Sequence, residues 1–435
     1  MKPGICARQL RPLASTVILL ATLFMTQKVL AQQDFDLDAL KLADQISTPV
    51  AVPSNWRVFA EAAVGGAVYH ANDSFTPSQR LSFDVQYDNS FSPGWRVVFS
   101  DRLDVDNPAQ APFGNGINTI KEAYLSWQNQ PDLLVDFGRI NVRSGVALGY
   151  NPTDFFKTSA VRSYVSVDPN SLKENRQGSV MLRLQKLFDS GSLTMLISPK
   201  LDTRSDDAAF NPDVAATNGE NRWLISYSPK IADGINPQFL LFKSDQSIIQ
   251  FGLNLTYLIN DATVIYSEWS GGRGPSLLAQ SIQQQGIPYA SDVTFRHRVA
   301  SGVTYTTNNK ISLTGEFDYN GAGLGQNQWG ALANGPPELY GVYRNWLQTA
   351  QESPTRRAVF LYGAWQDAFV NHLDFSAMER FNLDDSSRLS WLEARYHFTR
   401  SEFALQWQLY SGRPLSEYGA APQRQSWALL GRVYF

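Results

Sequence analysis

The 435-residue sequence predicts an all-β fold: a transmembrane antiparallel β-barrel of about 18 strands, with short periplasmic turns and long extracellular loops. Three observations predict it. An export leader is followed by no apolar run long enough for a membrane helix. Apolar and polar residues alternate with period two to the last residue. The connections between the alternating segments are short and long by turns.

The leader comes first. Lys2, Arg8 and Arg11 precede the apolar stretch "LASTVILLATLFM", and "KVLA" places Val29 and Ala31 at the −3 and −1 positions of a cleavage site. This is the pattern of a signal peptide over 1–31, and its apolar run is shorter than the ~20 residues of a spanning helix. The only cysteine, Cys6, falls inside it, so the mature chain is expected to hold no disulfide, thiolate nucleophile or cysteine metal site. Removing four basic residues from the 37 leaves 33 against 40 acidic ones, a net charge of −7. That excess of acid argues against a nucleic-acid partner. Residues 32–55, with Phe35, Leu37, Leu40 and Leu42 on one short helical pattern, read as a periplasmic tether, with a plug or partner contact as the alternative. The barrel is assigned to 56–435.

Alternation defines the strands. In "RLSFDVQY" Leu81, Phe83, Val85 and Tyr87 face one way, and Arg80, Ser82, Asp84 and Gln86 the other. "IQFGLNLTYLI", "ISLTGEFDY" and "EFALQWQLY" repeat the pattern. Eighteen such segments are expected: 56–69, 79–88, 95–105, 118–128, 133–143, 178–187, 191–199, 222–228, 236–243, 247–259, 262–270, 295–307, 310–319, 357–367, 372–380, 388–398, 401–411 and 425–435. Most are close to the ~9–11 residues that a tilted strand needs to cross a bilayer. Their polar faces carry Arg96, Arg102, Arg183, Arg298, Glu316, Asp318 and Arg395, the charges expected of a water-filled lumen. Every long connection falls in the odd-numbered set, whereas the even-numbered ones are turns such as "NQPD", "FDSG", "ND" and "NN". A closed barrel satisfies every backbone donor and acceptor within hydrocarbon, which is why alternation of this length implies closure.

The final segment "SWALLGRVYF" is expected to close the barrel, with Trp427, Leu429, Val433 and Phe435 outward and Arg432 in the lumen. Its terminal aromatic resembles the C-terminal signal read by the bacterial barrel-assembly machinery. That resemblance implies this machinery as a partner, beside outer-membrane lipid.

The connection after the fifth segment is the most unusual. Before Gly138 the outward positions are Leu133, Val135 and Phe137; after it, Ile140 and Val142 read as outward, with Arg139 and Arg143 inward. A β-bulge at Gly138 would produce that change of parity. Loop 144–177 then runs too far for a simple connection and carries Asp154, Lys157, Arg162, Asp168, Lys173, Glu174 and Arg176. It is read as folding inward to narrow a pore, with Arg139 and Arg143 on the facing wall. An external loop with solvated charges is the alternative. In 320–356, Leu339, Tyr343, Trp346 and Leu347 share one face of an expected helix and are read as packing within the loop, with stacking on a sugar as the alternative.

The stretch "FGR" followed by "GYNPTDFF" resembles a pattern of porin-like outer-membrane families, and the arginine-rich lumen is similar to porins for acidic substrates and to alginate-export barrels. The resemblance implies a channel and names no solute. Catalysis has little support. His70, His297, His372 and His397 lack metal spacing, no G-x-S-x-G is present, and no cofactor or metal is expected. The function expected is passive, selective diffusion of small polar or acidic solutes. Exopolysaccharide export or a partner-gated structural barrel is the first alternative, and an outer-membrane hydrolase the second.

Overall fold

The computed structural model describes residues 54–71, 73–110, 114–206, 208–288 and 292–435. The leader 1–31 and nearly all of 32–55 therefore lie outside the described residues.

Eighteen strands follow one another: β1 (Trp56–Tyr69), β2 (Phe75–Ser92), β3 (Trp95–Gln110), β4 (Gly114–Gln130), β5 (Leu133–Ile140), β6 (Ser179–Phe188), β7 (Gly191–Ser198), β8 (Arg222–Pro229), β9 (Ile235–Ser244), β10 (Gln250–Asn260), β11 (Thr263–Gly274), β12 (Thr294–Thr306), β13 (Ile311–Asn320), β14 (Arg357–Trp365), β15 (Leu373–Asn382), β16 (Arg388–His397), β17 (Ser401–Ser411) and β18 (Gln423–Tyr434). Each overlaps a segment read from alternation. Every strand pairs antiparallel with its neighbours in sequence, and β1 pairs with β18, so the sheet closes on itself with no free edge.

The two faces separate as period two requires. Leu81, Phe83, Phe251, Leu313, Phe317, Leu405, Trp427 and Val433 are exposed on the outer face. Glu61, Asp84, Arg102, Asn254, Glu268, Glu316 and Glu402 are buried on the inner one. Aromatic side chains gather near the strand ends. At the rim of short turns Trp56 meets Tyr87 with ring centroids 4.4 Å apart, Trp365 meets Phe369 at 4.7 Å and Tyr396 meets Phe398 at 4.7 Å. At the other rim Phe75 stacks on Trp427, and Phe295 lies beside His297. Two such bands around an apolar belt are the profile of a barrel seated in a bilayer.

Among the described residues the long connections carry five helices: α1 (Pro169–Glu174), α2 (Val214–Thr217), α3 (Leu277–Gln284), α4 (Gln326–Ala333) and α5 (Pro337–Ala350). Leu277, Leu324, Trp329, Leu332, Tyr343 and Leu347 pack there into one cluster, with Leu339 against it. The apolar face of α5 is thus spent on packing within the cap; Trp346 is only half-buried.

The structure corrects one region. The ladder runs without a shift through Gly138, which stands opposite Tyr124 and Met181, so there is no bulge at that residue. Its φ of 137° and a backbone oxygen of Ala123 only 2.4 Å from where a Cβ would sit explain the glycine instead. The strand ends at Ile140, short of 143. Ile140 is not outward: it packs inside with Phe156, Met181, Leu196 and Phe242. It is apolar because a loop covers it, and that is why its parity misleads.

Candidate functional site

Beyond Ile140 the chain leaves the wall and crosses the barrel. Residues 141–178 reach the inner faces of β11, β13 and β14, six or more strands away around the sheet. Two carboxylates of that far wall receive them. Glu268 accepts from the backbone N–H of Val146 (3.0 Å), Ala147 (3.1 Å) and Thr153 (2.7 Å). Glu316 accepts from those of Leu148 (2.9 Å), Gly149 (3.0 Å) and Tyr150 (2.9 Å), and from the Tyr266 hydroxyl at 2.7 Å. Successive amides turned toward one anion form a nest, and charge-assisted bonds of this kind are the strong ones. Gly145, at φ 99°, makes the approach possible, since a Cβ there would lie 2.6 Å from Glu268 Oε2. At Gly149 a Cβ would meet the Phe360 ring at 2.5 Å.

Further contacts hold the rest of the loop. Phe155 stacks on Phe242 at 4.6 Å, and Arg222 lies over the Phe156 ring at 4.6 Å. Asp154 pairs with Arg176 at 2.6 Å. Asp168 caps the short helix α1 (Pro169–Glu174), accepting from Ser171 N–H at 2.8 Å. Lys157 pairs with Glu352 at 3.0 Å, just beyond α5, and the Tyr150 hydroxyl donates to the same carboxylate at 2.7 Å. Arg298 stands 3.8 Å from it. Burial alone would raise the Glu352 proton affinity, but Lys157 and Arg298 hold it below the ordinary glutamate value. Ser159 N–H also donates to Thr349 O at 2.7 Å. Loop 141–178 and the segment just beyond α5 are therefore joined at one buried ion cluster.

The opposite wall, β16 to β4 through the β18/β1 seam, carries a ladder of paired charges. Glu61 accepts from Arg80 (2.7 Å) and Arg432 (2.8 Å). Lys121 pairs with Asp84 at 2.6 Å, Arg102 with Asp104 at 3.0 Å, and Arg395 with Glu393 at 2.8 Å and Glu402 at 2.7 Å. These five cations face five carboxylates, so the ladder is close to neutral. The less compensated charges lie beside it. Arg57 and Glu174, each 47% exposed, meet at 3.0 Å, and exposed Arg143 acts on Glu174 through space. Partial burial favours the neutral acid, yet Lys121, Arg57 and Arg143 keep Glu174 below the usual carboxylate range.

The candidates read from sequence divide accordingly. Arg102, Arg298, Glu316, Asp318 and Arg395 are inward, as is Arg183, which pairs with Asp136 at 2.6 Å. Arg96 pairs with Asp88 near the short-turn rim. Asp154 is buried in the loop's own pair with Arg176, and Lys157 at the Glu352 cluster. Arg162 donates to the carbonyls of Asn118 (2.9 Å) and Asn211 (2.7 Å), which puts it in structural backbone contacts. Arg139 and Arg143 do not share a facing wall. Arg139 stands opposite Ala123 and Val180, in register with outward positions, and is buried; Arg143 lies past the end of β5. His297 lies on the outer surface between Trp269 and Phe295. Glu174 is among the loop charges read from the sequence; Glu268 and Arg57 are not, though Glu268 is the one acid of an otherwise uncharged inner face of β11.

No family model and no curated protein matches the chain. Solved structures do. Acinetobacter baumannii OccAB1 is similar at a TM-score of 0.57 and 12% identity, over 88% of this chain and 96% of that one. Pseudomonas aeruginosa OccK8 (OprE) is similar at 0.53 and 12%, over 88% and 98%. A. baumannii OccAB2 is similar at 0.52 and 10%, over 88% and 98%. At such identities the likeness establishes a shared barrel fold.

Proposed function

We propose that this chain is an outer-membrane channel for passive, selective diffusion of small polar or acidic solutes, with loop 144–177 as its constriction. The observation that carries the reading is the loop itself: it spans the lumen and is fastened by six backbone amides to Glu268 and Glu316. A barrel of this strand number is wide enough for an aqueous path, and the loop narrows what would otherwise be an unselective hole. Arg57 and Arg143 beside Glu174 leave a local excess of positive charge, which favours carboxylate-bearing solutes because guanidinium forks match them. The closing strand β18, with Phe435 directly after it, supports recognition by the barrel-assembly machinery, and the outer apolar belt supports a lipid environment.

Vesicle swelling tests the reading. Protein-bearing vesicles should admit a small sugar acid faster than a neutral sugar of equal size, and Arg57→Ala/Arg143→Ala should erase the difference. Permeation no faster than through empty vesicles would overturn it. A second reading, a barrel opened by a partner, is favoured by the Glu352 knot between cap and loop; it requires a closed wild type and a permeable variant with loop 144–177 shortened.

A further inference from the structure

The outer face of β13–β17 is not smooth. A depression of about 660 Å³ runs into a second of about 430 Å³, and both are lined by Leu313, Gly363, Ala377, Leu392 and Trp407. Register explains it. Gly363 stands opposite both Leu313 and Ala377, and Gly315 opposite Leu361, so small residues adjoin across three strands while their large neighbours rise on either side. Leu313, Leu361, Leu392 and Leu405 are all exposed, as outward residues of the apolar belt. The rows from Phe375 to Glu379 span about 13 Å at ~3.3 Å per residue, the reach of an acyl tail.

The groove has a polar head. Glu379, opposite Leu361 and Ser390, is outward, and its Oε1 is buried with no hydrogen-bond partner. Its nearest cation is Arg388, 3.7 Å away, too far for a hydrogen bond. Arg388 is half exposed, at the strand end next to the long-connection rim. A carboxylate oxygen held on an apolar surface only by an ion pair at 3.7 Å is poorly compensated, and a ligand that supplied a hydrogen-bond donor would relieve it.

We propose that this groove binds one acylated, phosphorylated lipid whose headgroup carries amine or hydroxyl donors beside the phosphate. The tail lies over Gly363 and Ala377, the phosphate meets Arg388, and an N–H or O–H donor meets the partly exposed Glu379 carboxylate. A second barrel is a poorer occupant: its convex wall would bridge the groove, and a stable interface needs roughly 800 Å² from each partner. The inference rests on the bilayer reading above.

The test is native mass spectrometry of the full chain in detergent, with dioleoyl phosphatidylethanolamine or dioleoyl phosphatidylcholine added. Choline has no N–H to donate. Wild type should retain one ethanolamine lipid at least tenfold more tightly than the choline lipid. Glu379→Leu/Arg388→Leu should abolish that preference. Gly363→Leu should lose both lipids; a Cβ there has Leu313 Cδ2 at 3.4 Å as its nearest neighbour, so the added side chain extends into the groove. Equal retention of the two lipids by wild type, or unchanged retention by Gly363→Leu, would overturn the proposal. So would a dimer that Gly363→Leu dissolves, since the groove would then be a protein interface. Conductance of the same preparations in a planar bilayer separates this question from the channel reading.

Discussion

Glu316 Oε1 accepts the backbone N–H of Tyr150 at 2.9 Å, although the two residues belong to opposite parts of the barrel and lie 166 positions apart in the chain. That bond, with its neighbours at Gly149 and Leu148, makes one wall carboxylate the anchor of a loop that starts on another wall.

The anchor is testable. Glu268→Ala/Glu316→Ala removes the acceptors for six loop amides while leaving the strands in place. Single-channel current should rise at least twofold and become noisy as the loop escapes. The heat-modifiable folded band on electrophoresis should persist. Unchanged, quiet current would mean that the loop is held by other contacts.

The Lys157–Glu352 pair predicts coupling between cap and loop. Lys157→Met leaves a buried carboxylate with less compensation, and breaking such a pair costs about 3 kcal/mol. The unfolding free energy from urea titration in detergent should fall by that amount, and hydrogen exchange should quicken in both 144–177 and 337–350. Faster exchange in only one of the two would show that they are independent.

Glu417 predicts a pH effect at the rim of long connections. It lies in the connection 412–422, where burial, partly opposed by Arg380 and reinforced by Asp385, pushes its carboxyl up to about 7. The folded state therefore binds a proton that the unfolded chain, with an ordinary glutamate, releases near ~4.3. Stability from this group is complete below that lower value and is lost as pH rises toward 7. Protection of the amides in 412–422, taken relative to the intrinsic base-catalysed exchange rate at each pH, should be greater at pH 5 than at pH 8, and Glu417→Gln should flatten the difference. The neighbouring contact, Arg344 donating to Glu417 O at 3.0 Å, ties this connection to α5.

Charge selectivity should follow the exposed residues. Glu174→Gln removes the acid between Arg57 and Arg143 and should shift the reversal potential in a salt gradient toward anions. Arg102→Gln, inside the paired ladder, should chiefly destabilise the barrel. Equal effects of both on selectivity would mean that the ladder also faces the permeating ion.

Alternation made the strands and their faces legible because each outward residue meets an apolar medium and each inward one a polar interior. It reached Glu316, Asp318, Arg102 and Arg395 for the same reason. It failed at Ile140 and Val142, where apolar character arises from burial beneath a loop rather than from the outer surface. It missed Glu268, whose role depends on backbone amides of residues 146, 147 and 153, and amides carry no sequence signal. The pairing of Arg432 with Glu61 was also hidden, since their strands, β18 and β1, meet only through barrel closure.

The central claim is that loop 144–177 constricts an otherwise open pore. Single-channel conductance in a planar bilayer, wild type against a variant with that loop shortened, tests it most directly. The account predicts a small, steady wild-type conductance and a severalfold larger, less selective one in the variant. Equal conductance in the two proteins would contradict it.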